Sequence, residues 1–569
     1  MKKNNLKTII DSLSKLNKPL EKDLFKLLHE NTKDDGGLYS KSEILAEIEK
    51  LNNPLYKKLV QIIKMKSTRT ISGVTPVTVL TKPFPCPGKC IFCPNDVRMP
   101  KSYLSDEPGA QRANRNNFDP YAQTFNRLLA YKNIGHPTNK VELIILGGTW
   151  TSYPIDYQIW FVKRCFDAMN DFKKANEDTY ESKMDIPYEE KSLHEINGEK
   201  IVDSYNKVIS KAIIPKKSQA KNETATWEEL FAVQIQNENE KTRCIGLVIE
   251  TRPDEITESE VIRIRKLGAT KVQIGFQSLN DKVLEKNHRG HNVATTRNAV
   301  KLLRQAGFKI HAHWMPNLYG SNPDMDIGDF KKMFEDEDFM PDELKIYPCS
   351  LIQSAELMQY YKKGLWKPYT FEELSYVLEE CYKLTPEYCR ITRMIRDIGS
   401  QDIVVGNKKT NFRQIVEINL KKQKAEINEI RYREIRGEAI EADKLSVKTT
   451  KYETSTSTEY FLEYVTEKNK IAGFLRLSIP KIPNYIEELK NAAIIREVHV
   501  YGQSIKIGQK DEGKAQHLGL GKNLILLSKK LTKENGFDKL AVISSIGTRE
   551  YYKKQGFEMK EIYQISEID

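Results

Sequence analysis

The chain has 569 residues, 39% hydrophobic and 30% charged, a length that predicts roughly three to four domains with sizeable cores. Its 90 Lys and Arg against 78 Asp and Glu give a formal charge of +12, and its 29 Gly and 23 Pro exclude a collagen-like or low-complexity protein. No stretch approaches the ~18 apolar residues that span a bilayer, and Asp11 and Lys15 interrupt the N-terminal segment. We therefore expect a cytoplasmic protein without a signal peptide or membrane span.

Residues 1–74 form the first predicted segment. Leu and Ile recur there at three- and four-residue spacing, which predicts short amphipathic helices. Residues 1–80 hold 15 Lys and Arg against 9 Asp and Glu. This segment is either a small helical domain with a solvated basic face or a basic surface for a polyanion such as RNA.

Residues 75–400 alternate between short apolar runs and helix-like segments, which predicts a parallel sheet, open or closed into a barrel. A polar stretch from about 170 to 243 interrupts this alternation and is interpreted as an insertion. Residues 401–450 are rich in charge, and we expect them to form a connector that contains one helix. Residues 451–569 predict a second, smaller α/β domain in which alternating strands flank a helix.

The clearest chemical motif is a group of cysteines after the first predicted strand. Cys86, Cys90 and Cys93 have the spacing Cys-x3-Cys-x2-Cys. Three thiolates on one loop can bind three irons of a four-iron, four-sulfur cluster and leave the fourth iron open. Structural zinc is the alternative, but it usually takes four ligands in paired spacing, and the fourth is missing nearby. Three other cysteines are expected to be buried thiols: Cys349, Cys381 and Cys389.

A second motif opens the helix-like run of the C-terminal domain. Gln516, Gly519 and Gly521 fit Gln-x-x-Gly-x-Gly, and amide groups at such a helix start bind pyrophosphate. The strand REVHVYG before it and YYKKQGF after it resemble the GCN5-related N-acetyltransferase (GNAT) fold, which binds acetyl-coenzyme A. Lys522 would assist at the phosphates. Tyr552 stands where that fold often places a general acid, with core packing as the alternative.

The cysteine spacing resembles that of the radical S-adenosylmethionine superfamily. This implies a partial (β/α) TIM-like barrel, a [4Fe-4S] cluster and S-adenosylmethionine, which is cleaved to a 5′-deoxyadenosyl radical. Gly147 and Gly148, one strand after the cysteines, resemble the site of the cofactor amine, where glycine admits a close backbone approach. Glu250 ends a further predicted strand, where barrel enzymes place functional residues; a salt-bridged loop is the alternative.

The chain as a whole resembles the family of the Elongator catalytic subunit. The motifs that carry the resemblance include RTISGVTPVTVLTKPFPCPGKCIFCPN, NNFDPYAQTFNRL, NHRGHNV and AVISSIGTREYYKKQGF. The resemblance implies carboxymethylation at C5 of the wobble uridine of tRNA. The radical would abstract a hydrogen from the acetyl group of acetyl-coenzyme A, the carbon radical would add to the base, and the thioester would be hydrolysed. The short first cysteine gap is similar to that of archaeal and bacterial members; other Elongator subunits would be partners of a eukaryotic-like member.

The resemblance also implies roles for individual residues. Lys140 matches a lysine associated with acetyl-coenzyme A and would couple the two domains, whereas the sequence alone favours an exposed lysine at a strand end. Lys345 and Tyr347 match a strand end that faces the radical site, and Tyr552 matches the thioester tyrosine. A strand beside the pantetheine arm would comprise Glu497, Val498, His499 and Val500. The pyrophosphate turn would include Gln516, Gly519, Leu520, Gly521 and Lys522.

RNA contacts are predicted from charge. Lys64, Lys66 and Arg69 precede the cysteine domain and are candidates for phosphate contacts with a tRNA. Arg289 and His291 either contact RNA or order a loop.

Two other functions remain open. A protein lysine acetyltransferase of histone type would use only the second motif and make the cysteines structural. A tRNA-binding scaffold would have lost its active site, although the cysteine triplet and the glycine turn are intact. One departure from the family is Phe557, which stands where Tyr is common, so a hydroxyl is missing while the ring is kept.

Overall fold

The computed structural model describes residues 5–17, 19–57, 59–65, 70, 72–173, 195–196, 199–200, 205–213, 223–409, 411–436, 442–501 and 519–568. These residues form an N-terminal group of helices, a parallel sheet covered by helices, and a C-terminal mixed sheet. Within these ranges, no helix is both long enough and apolar enough to cross a membrane.

Helices and strands are numbered in chain order. The helices are α1 (Asn5–Lys15), α2 (Glu21–Glu30), α3 (Lys41–Leu51), α4 (Pro54–Lys57), α5 (Val60–Ile63), α6 (Pro108–Arg115), α7 (Pro120–Asn133), α8 (Ile155–Asp171), α9 (Tyr205–Ile213), α10 (Trp227–Asn239), α11 (Glu258–Lys266), α12 (Asp281–Lys286), α13 (Val293–Gln305), α14 (Pro323–Glu335), α15 (Leu357–Lys362), α16 (Phe371–Leu384), α17 (Phe412–Lys422), α18 (Ile430–Arg433), α19 (Leu520–Glu534) and α20 (Arg549–Lys553). The strands are β1 (Thr75–Leu80), β2 (Lys140–Leu146), β3 (Glu195–Ile196), β4 (Glu199–Lys200), β5 (Arg243–Thr251), β6 (Lys271–Gln277), β7 (Lys309–Trp314), β8 (Glu343–Ile346), β9 (Leu351–Ile352), β10 (Arg390–Arg393), β11 (Ile403–Val405), β12 (Ser446–Glu453), β13 (Ser457–Val465), β14 (Ile471–Pro480), β15 (Ala492–Val500), β16 (Lys539–Val542), β17 (Glu558–Met559) and β18 (Gln564–Glu567).

The N-terminal helices α1 to α5 enclose a small core of their own. Ile9, Leu24 and Ile44 are buried there, on one side of each amphipathic helix. Ser40 and Glu43 form a capping box at the start of α3, which satisfies two backbone amides at the helix end. The predicted helical segment is confirmed.

Seven parallel strands form the central sheet in the order β1-β2-β5-β6-β7-β8-β10. Side chains alternate between the two faces of a strand. On one face Val141, Leu143 and Ile145 of β2 are buried in the main core under the helices. On the other face Glu142 of β2 and Lys271 of β6 line an internal cavity. The predicted partial barrel is confirmed.

The C-terminal domain is a second seven-stranded sheet in the order β12-β13-β14-β15-β16-β18-β17. Its one parallel pair, β15 and β16, is matched only over Ala492–Ile495 of β15. A register shift between Arg476 and Leu477 of β14 leaves Arg496 of β15 as a bulge residue. The pairing with β16 ends at Ile495, because β16 ends at Val542, so residues 496–500 of β15 have no strand partner on that side among the described residues. This open edge of β15 beside β16 is called the slot below.

The C-terminal sheet docks against the amino-terminal ends of the parallel strands. Ser545 Oγ donates to the carbonyl of Cys244 at the start of β5, at 2.9 Å. Arg496 donates to both carboxylate oxygens of Asp342, which precedes β8, at 2.7 Å. The cysteine loop follows the opposite, carboxyl-terminal end of β1. The two predicted sites therefore lie at opposite ends of the barrel.

Two boundaries differ from the expected ones. The C-terminal sheet begins at Ser446, inside the expected connector 401–450, and β12 pairs along its whole length with β13. Helix α10 lies in the expected insertion, yet Leu230 and Asn237 of this helix are fully buried. Much of the remaining insertion, including 174–194, lies outside the described residues.

Candidate active site

One continuous cavity of about 890 Å³ contains both predicted sites. Its lining includes Cys86, Cys90 and Cys93 at one end and Glu497 and Tyr552 at the other. Between these ends, the cavity is lined by the inward-facing residues of the parallel strands. Reactants bound at the two ends therefore share one continuous space.

The three cysteines lie on the loop after β1, and Cys90 is buried. The hydrogen bond with Cys93 lowers the pKa of the Cys90 thiol; burial opposes this, and the charges of Arg289 and Arg252 add to it. Among the described residues, no three His, Cys, Asp or Glu side chains are grouped to hold one metal ion. Three thiols on one cavity wall, one with a lowered pKa, fit a cluster that takes a separate iron at each thiolate.

The two glycines after β2 are required by their surroundings. Gly147 and Gly148 have φ angles of +155° and +86°, which L residues rarely adopt. A Cβ at Gly147 would overlap the hydroxyl of Thr81, and one at Gly148 would lie 3.1 Å from the carbonyl oxygen of Lys101. Because Gly148 lines the cavity beside the cysteines, its backbone is open to a close ligand.

Glu250 lies in the same part of the cavity, near the carboxyl end of β5. It accepts a hydrogen bond from the Tyr103 hydroxyl at 2.9 Å, and its carboxylate is 3.8 Å from Nδ1 of His313. The alternative for Glu250 was a place in a salt-bridged loop. That salt bridge is instead formed by the following residues, because Arg252 pairs with Asp254 at 2.7 Å.

Lys345 and Tyr347 face the middle of the cavity from the end of β8. Lys345 Nζ and His313 Nε2 both donate to Oε1 of Gln273, the latter at 3.0 Å. Burial holds the pKa of His313 well below its usual range, and the nearby Lys345 lowers it further. The middle of the barrel is thus polar, with a neutral imidazole beside a lysine side chain on the neighbouring strands β7 and β8.

A layer of charged side chains crosses the barrel at its amino-terminal end. Lys271 lies between Glu142 and Glu343, at 2.7 and 3.1 Å. Lys309 pairs with Glu343 at 3.4 Å and also with Glu497 of the C-terminal domain. This layer joins the two domains through ion pairs that line the shared cavity.

Residues of β15 form the C-terminal wall of the cavity. Burial would raise the pKa of Glu497, but Lys309 and Arg476 outweigh it and lower this pKa. Burial lowers the pKa of His499 to about 4, so its imidazole is neutral at physiological pH. Its Nε2 is buried and has no hydrogen-bond partner among the described residues.

The predicted pyrophosphate turn is described only in part. Gln516 lies outside the described residues, whereas Gly519 has a φ of +69° at the start of α19. Leu520 is buried and Lys522 is exposed. A Cβ at Gly521 would lie 2.8 Å from the hydroxyl of Tyr551, so a larger residue there would displace the Tyr551 side chain.

The two adjacent tyrosines differ in position. Tyr552 is 7% exposed, packs on Phe557 and lines the cavity, while Tyr551 is 41% exposed. Burial raises the pKa of Tyr552, with the charge of Glu497 adding to it, so this hydroxyl stays protonated. Val498 lines the cavity in the same slot, and Val500 follows it on the strand.

Other predicted residues lie farther from this cavity. Lys140 is opposite Arg243 at the amino end of β2, and burial, followed by the charge of Arg243, lowers its pKa. Lys64 is half-buried and donates to the hydroxyl of Thr70 at 2.9 Å. Lys66 and Arg69 lie outside the described residues.

Arg289 and His291 have different environments. Arg289 is buried and donates to Sγ of Cys90 at 3.2 Å, a position that favours a role in ordering the cysteine loop over an exposed RNA contact. His291 is half-buried, and its Nδ1 lies 3.3 Å from the carbonyl of Asn292. Burial lowers the pKa of His291 to about 4.

Sequence reasoning assigned no role to several residues of this cavity. These are Arg252, Lys271, Lys309, Glu343 and Arg396. The available signal was the presence of polar residues at alternate positions of otherwise apolar strands, as in KVQIGFQS, where every second side chain faces inward.

Comparisons with known proteins agree with this geometry. A model described as Radical SAM superfamily matches residues 222–330, and one described as Radical_SAM C-terminal domain matches residues 341–422. The chain is 38% identical to the tRNA uridine(34) acetyltransferase of Methanocaldococcus jannaschii over 89% of this chain and 87% of that protein. It is 30% identical to Elongator complex protein 3 of Homo sapiens over 90% of this chain and 87% of that protein. The solved structure of Methanocaldococcus infernus Elp3 with a deletion of residues 1–46 matches with a TM-score of 0.69 and 33% identity, covering 88% of this chain and 100% of that chain.

Proposed function

The chain belongs to the family of tRNA uridine(34) acetyltransferases and Elongator complex protein 3, and we propose that it carboxymethylates C5 of the wobble uridine of tRNA. Its substrates are S-adenosylmethionine, acetyl-coenzyme A and a tRNA with an unmodified wobble uridine. The observation that carries this proposal is the single cavity that joins the cysteine loop to the slot between β15 and β16. Neither a simple acetyltransferase nor a simple radical enzyme requires such a connection.

The barrel sets the distance between the two ends. Lys271 begins β6 at the level of the charged layer, and Gln277 ends it at the level of the cysteines. Six residue steps of about 3.3 Å each give a separation of about 20 Å. The acetyl group and the uridine must therefore meet inside the barrel, where Lys345, His313 and Tyr347 face the cavity.

At the radical end, Cys86, Cys90 and Cys93 would hold a [4Fe-4S] cluster. When bound, this cluster supplies the electron that cleaves S-adenosylmethionine to a 5′-deoxyadenosyl radical. The protein contributes the close backbone approach at Gly148 and a carboxylate at Glu250. Cys90 is buried, and Cys86, Cys93, Gly148 and Glu250 are half-buried around it, so the site is partly shielded from water.

At the acyl end, 497–500 would lie beside the pantetheine arm of acetyl-coenzyme A. Neutral His499 can take a proton from the water that attacks the thioester carbonyl. The bond between carbon and sulfur then breaks, and the protonated hydroxyl of Tyr552 can supply a proton to the coenzyme A thiolate. Both residues are in the correct protonation state at neutral pH because burial shifts their pKa values in opposite directions.

Basic residues before the cysteine domain would supply the tRNA contacts. We assign this role to the helices within residues 1–74 and to Lys64, Lys66 and Arg69. His291 is the further candidate for an RNA contact. The formal charge of +12 favours binding of a polyanion. A tRNA substrate would place the enzyme in the cytoplasm, with other Elongator subunits as partners only in a eukaryotic-like setting.

The shape of the acyl site argues against a protein lysine acetyltransferase. The wall formed by β15 faces the radical domain, and Glu497 is paired there with Lys309 and Arg476. Among the described residues, the cavity beside this wall extends into the barrel, toward the cysteines.

An anaerobic reaction tests the proposal. Reconstituted protein, a reductant, S-adenosylmethionine, acetyl-coenzyme A and unmodified tRNA are mixed, and the digested nucleosides are analysed by mass spectrometry. We expect carboxymethyluridine that depends on both small substrates and is lost in Cys90→Ser. If coenzyme A is released onto protein lysines while uridine and S-adenosylmethionine stay unchanged, the proposal is refuted.

A further inference from the structure

Two guanidinium groups converge on the sulfur of one cysteine. Arg289 Nη1 donates to Sγ of Cys90 at 3.2 Å, and Arg252 Nη1 donates to the same atom at 3.7 Å. Both arginines are only 5% exposed. The other two cysteines have other hydrogen-bond or charge neighbours: Cys86 Sγ lies 3.7 Å from the hydroxyl of Thr149, and the charge of Lys101 acts on Cys93. The two described guanidinium hydrogen bonds to sulfur both go to Cys90.

The fold holds both guanidinium groups in place. Arg252 follows β5 and donates to both carboxylate oxygens of Asp254, at 2.9 and 2.7 Å. It also donates to the carbonyl of Arg289 at 2.6 Å, which links the two arginines. Arg289 in turn donates to the carbonyl of Gly275 at 2.9 Å. These anchors leave one amino group of each arginine directed at the sulfur.

Two glycines make room for this arrangement. A Cβ at Gly88, inside the Cys-x3-Cys loop, would overlap Nη1 of Arg252. A Cβ at Gly275 would lie 2.7 Å from Nη2 of Arg289. Neither glycine has a left-handed φ, so backbone conformation does not require it. The loop and the sheet each carry glycine where an arginine must pass.

We propose that Arg252 and Arg289 raise the reduction potential of the cluster held by Cys90. Reduction adds one electron to a buried, negatively charged group, and hydrogen bonds and net charge at the ligand sulfurs control the potentials of such clusters. Two charge-assisted N–H···S contacts at one ligand stabilise the reduced state more than the oxidised state. The inference rests on the proposed function, because it requires that the cysteines hold the cluster.

The test measures the potential and not turnover. Wild type, Arg252→Gln and Arg289→Gln are reconstituted with iron and sulfide, and the reduced cluster is titrated by electron paramagnetic resonance without S-adenosylmethionine, tRNA or acetyl-coenzyme A. Each glutamine variant is expected to have a lower midpoint potential, and the double variant the lowest. Arg289→Lys, which keeps the charge, should recover part of the shift.

Arg396→Gln is the matched control. Arg396 also lines the cavity, but it donates to Glu107 at 2.6 Å and has no described contact with a cysteine. The midpoint potential of the cluster in Arg396→Gln should equal that of wild type. A merely structural role of Arg252 and Arg289 would change iron content but not the midpoint of the cluster that remains.

The outcomes separate this inference from the proposed function. If wild type takes up no cluster, the proposed function fails. If all variants take up the cluster with one common midpoint, the arginine inference is overturned. If the glutamine variants bind no iron, the midpoint potential is measured in Gly88→Ala, whose added Cβ displaces the Arg252 side chain without removing its charge. An unchanged midpoint potential in this variant also overturns the inference.

Discussion

Gly547→Ala tests whether the docking of the two domains sets the rate of the combined reaction. A Cβ at Gly547 would lie 2.6 Å from Cβ of Arg243 and 2.8 Å from the carbonyl oxygen of Cys244. Carbon atoms pack best about 3.5–4.0 Å apart, so the C-terminal domain must move by about 1 Å away from β5. Overpacking of this size costs about 1–3 kcal/mol. A displacement of about 1 Å at a reaction centre can cost about 10²-fold in rate.

The assay compares two rates for each enzyme in the same preparation. We expect carboxymethyluridine formation to fall by up to about 10²-fold, because Tyr552 is carried on α20, which directly follows the displaced segment. Formation of 5′-deoxyadenosine without acetyl-coenzyme A should stay near the wild-type rate. Gly328→Ala is the control, since a Cβ there meets nothing within 4 Å. A Gly547→Ala enzyme with wild-type carboxymethylation would refute this account of the interface.

Three further predictions use the cavity and its charges. Gly246→Leu places a side chain in the barrel, where the added Cβ meets only Glu142 at 3.4 Å or more; coenzyme A binding and 5′-deoxyadenosine formation should persist while carboxymethyluridine formation falls in the nucleoside assay. His499 has a folded pKa of about 4 against 6.5 unfolded, so stability falls as the pH drops through this window. His499→Gln should make the pH dependence of the denaturant midpoint less steep between these values, with the remaining slope due to other histidines of lowered pKa such as His291. Chelation of iron should abolish 5′-deoxyadenosine formation but leave coenzyme A binding unchanged by calorimetry, and a parallel loss of both would contradict separate sites.

The local motifs were predictable because each lies within a few residues of sequence. The spacing of the cysteines and the glycines after β2 specify loop chemistry without reference to distant parts of the chain. The structure adds the reason for Gly147, whose Cβ would overlap Thr81. Strand and helix order was likewise visible from the alternation of apolar runs.

The charged layer was not predictable in this way. Lys271, Lys309 and Glu343 begin three different strands, and their partner Glu497 comes from the other domain. Each residue taken alone looks like an ordinary polar position at a strand end. Only the register of the parallel strands brings them to one level of the barrel, as the pairing of Lys271 with Lys309 shows.

The boundary of the insertion was placed wrongly because composition does not report burial. Helix α10 carries buried amide side chains, and each of them has a hydrogen-bond partner. Gln234 donates to the carbonyl of Leu267 at 3.0 Å, and Asn237 accepts from the backbone amide of Cys244 at 2.8 Å. A buried polar side chain with hydrogen-bond partners carries no penalty that would force it to the surface. Polar composition alone therefore does not separate an exposed insertion from a core helix.

The bulge at Arg496 explains why the acyl slot and the domain interface belong together. Arg496 is fully buried and donates to Asp342 of the radical domain as well as to Glu459 of its own sheet. Burial would raise the pKa of Asp342, but the charges of Arg496 and Arg476 outweigh it and lower this pKa. A buried ion pair adds little net stability, whereas loss of one partner costs about 3–5 kcal/mol because the other charge stays buried. The pair therefore acts mainly by fixing geometry. Arg496 is the first residue of β15 beyond the stretch paired with β16, and it also anchors this strand to the radical domain, so the acyl site is aligned with the radical site only when the domains are docked.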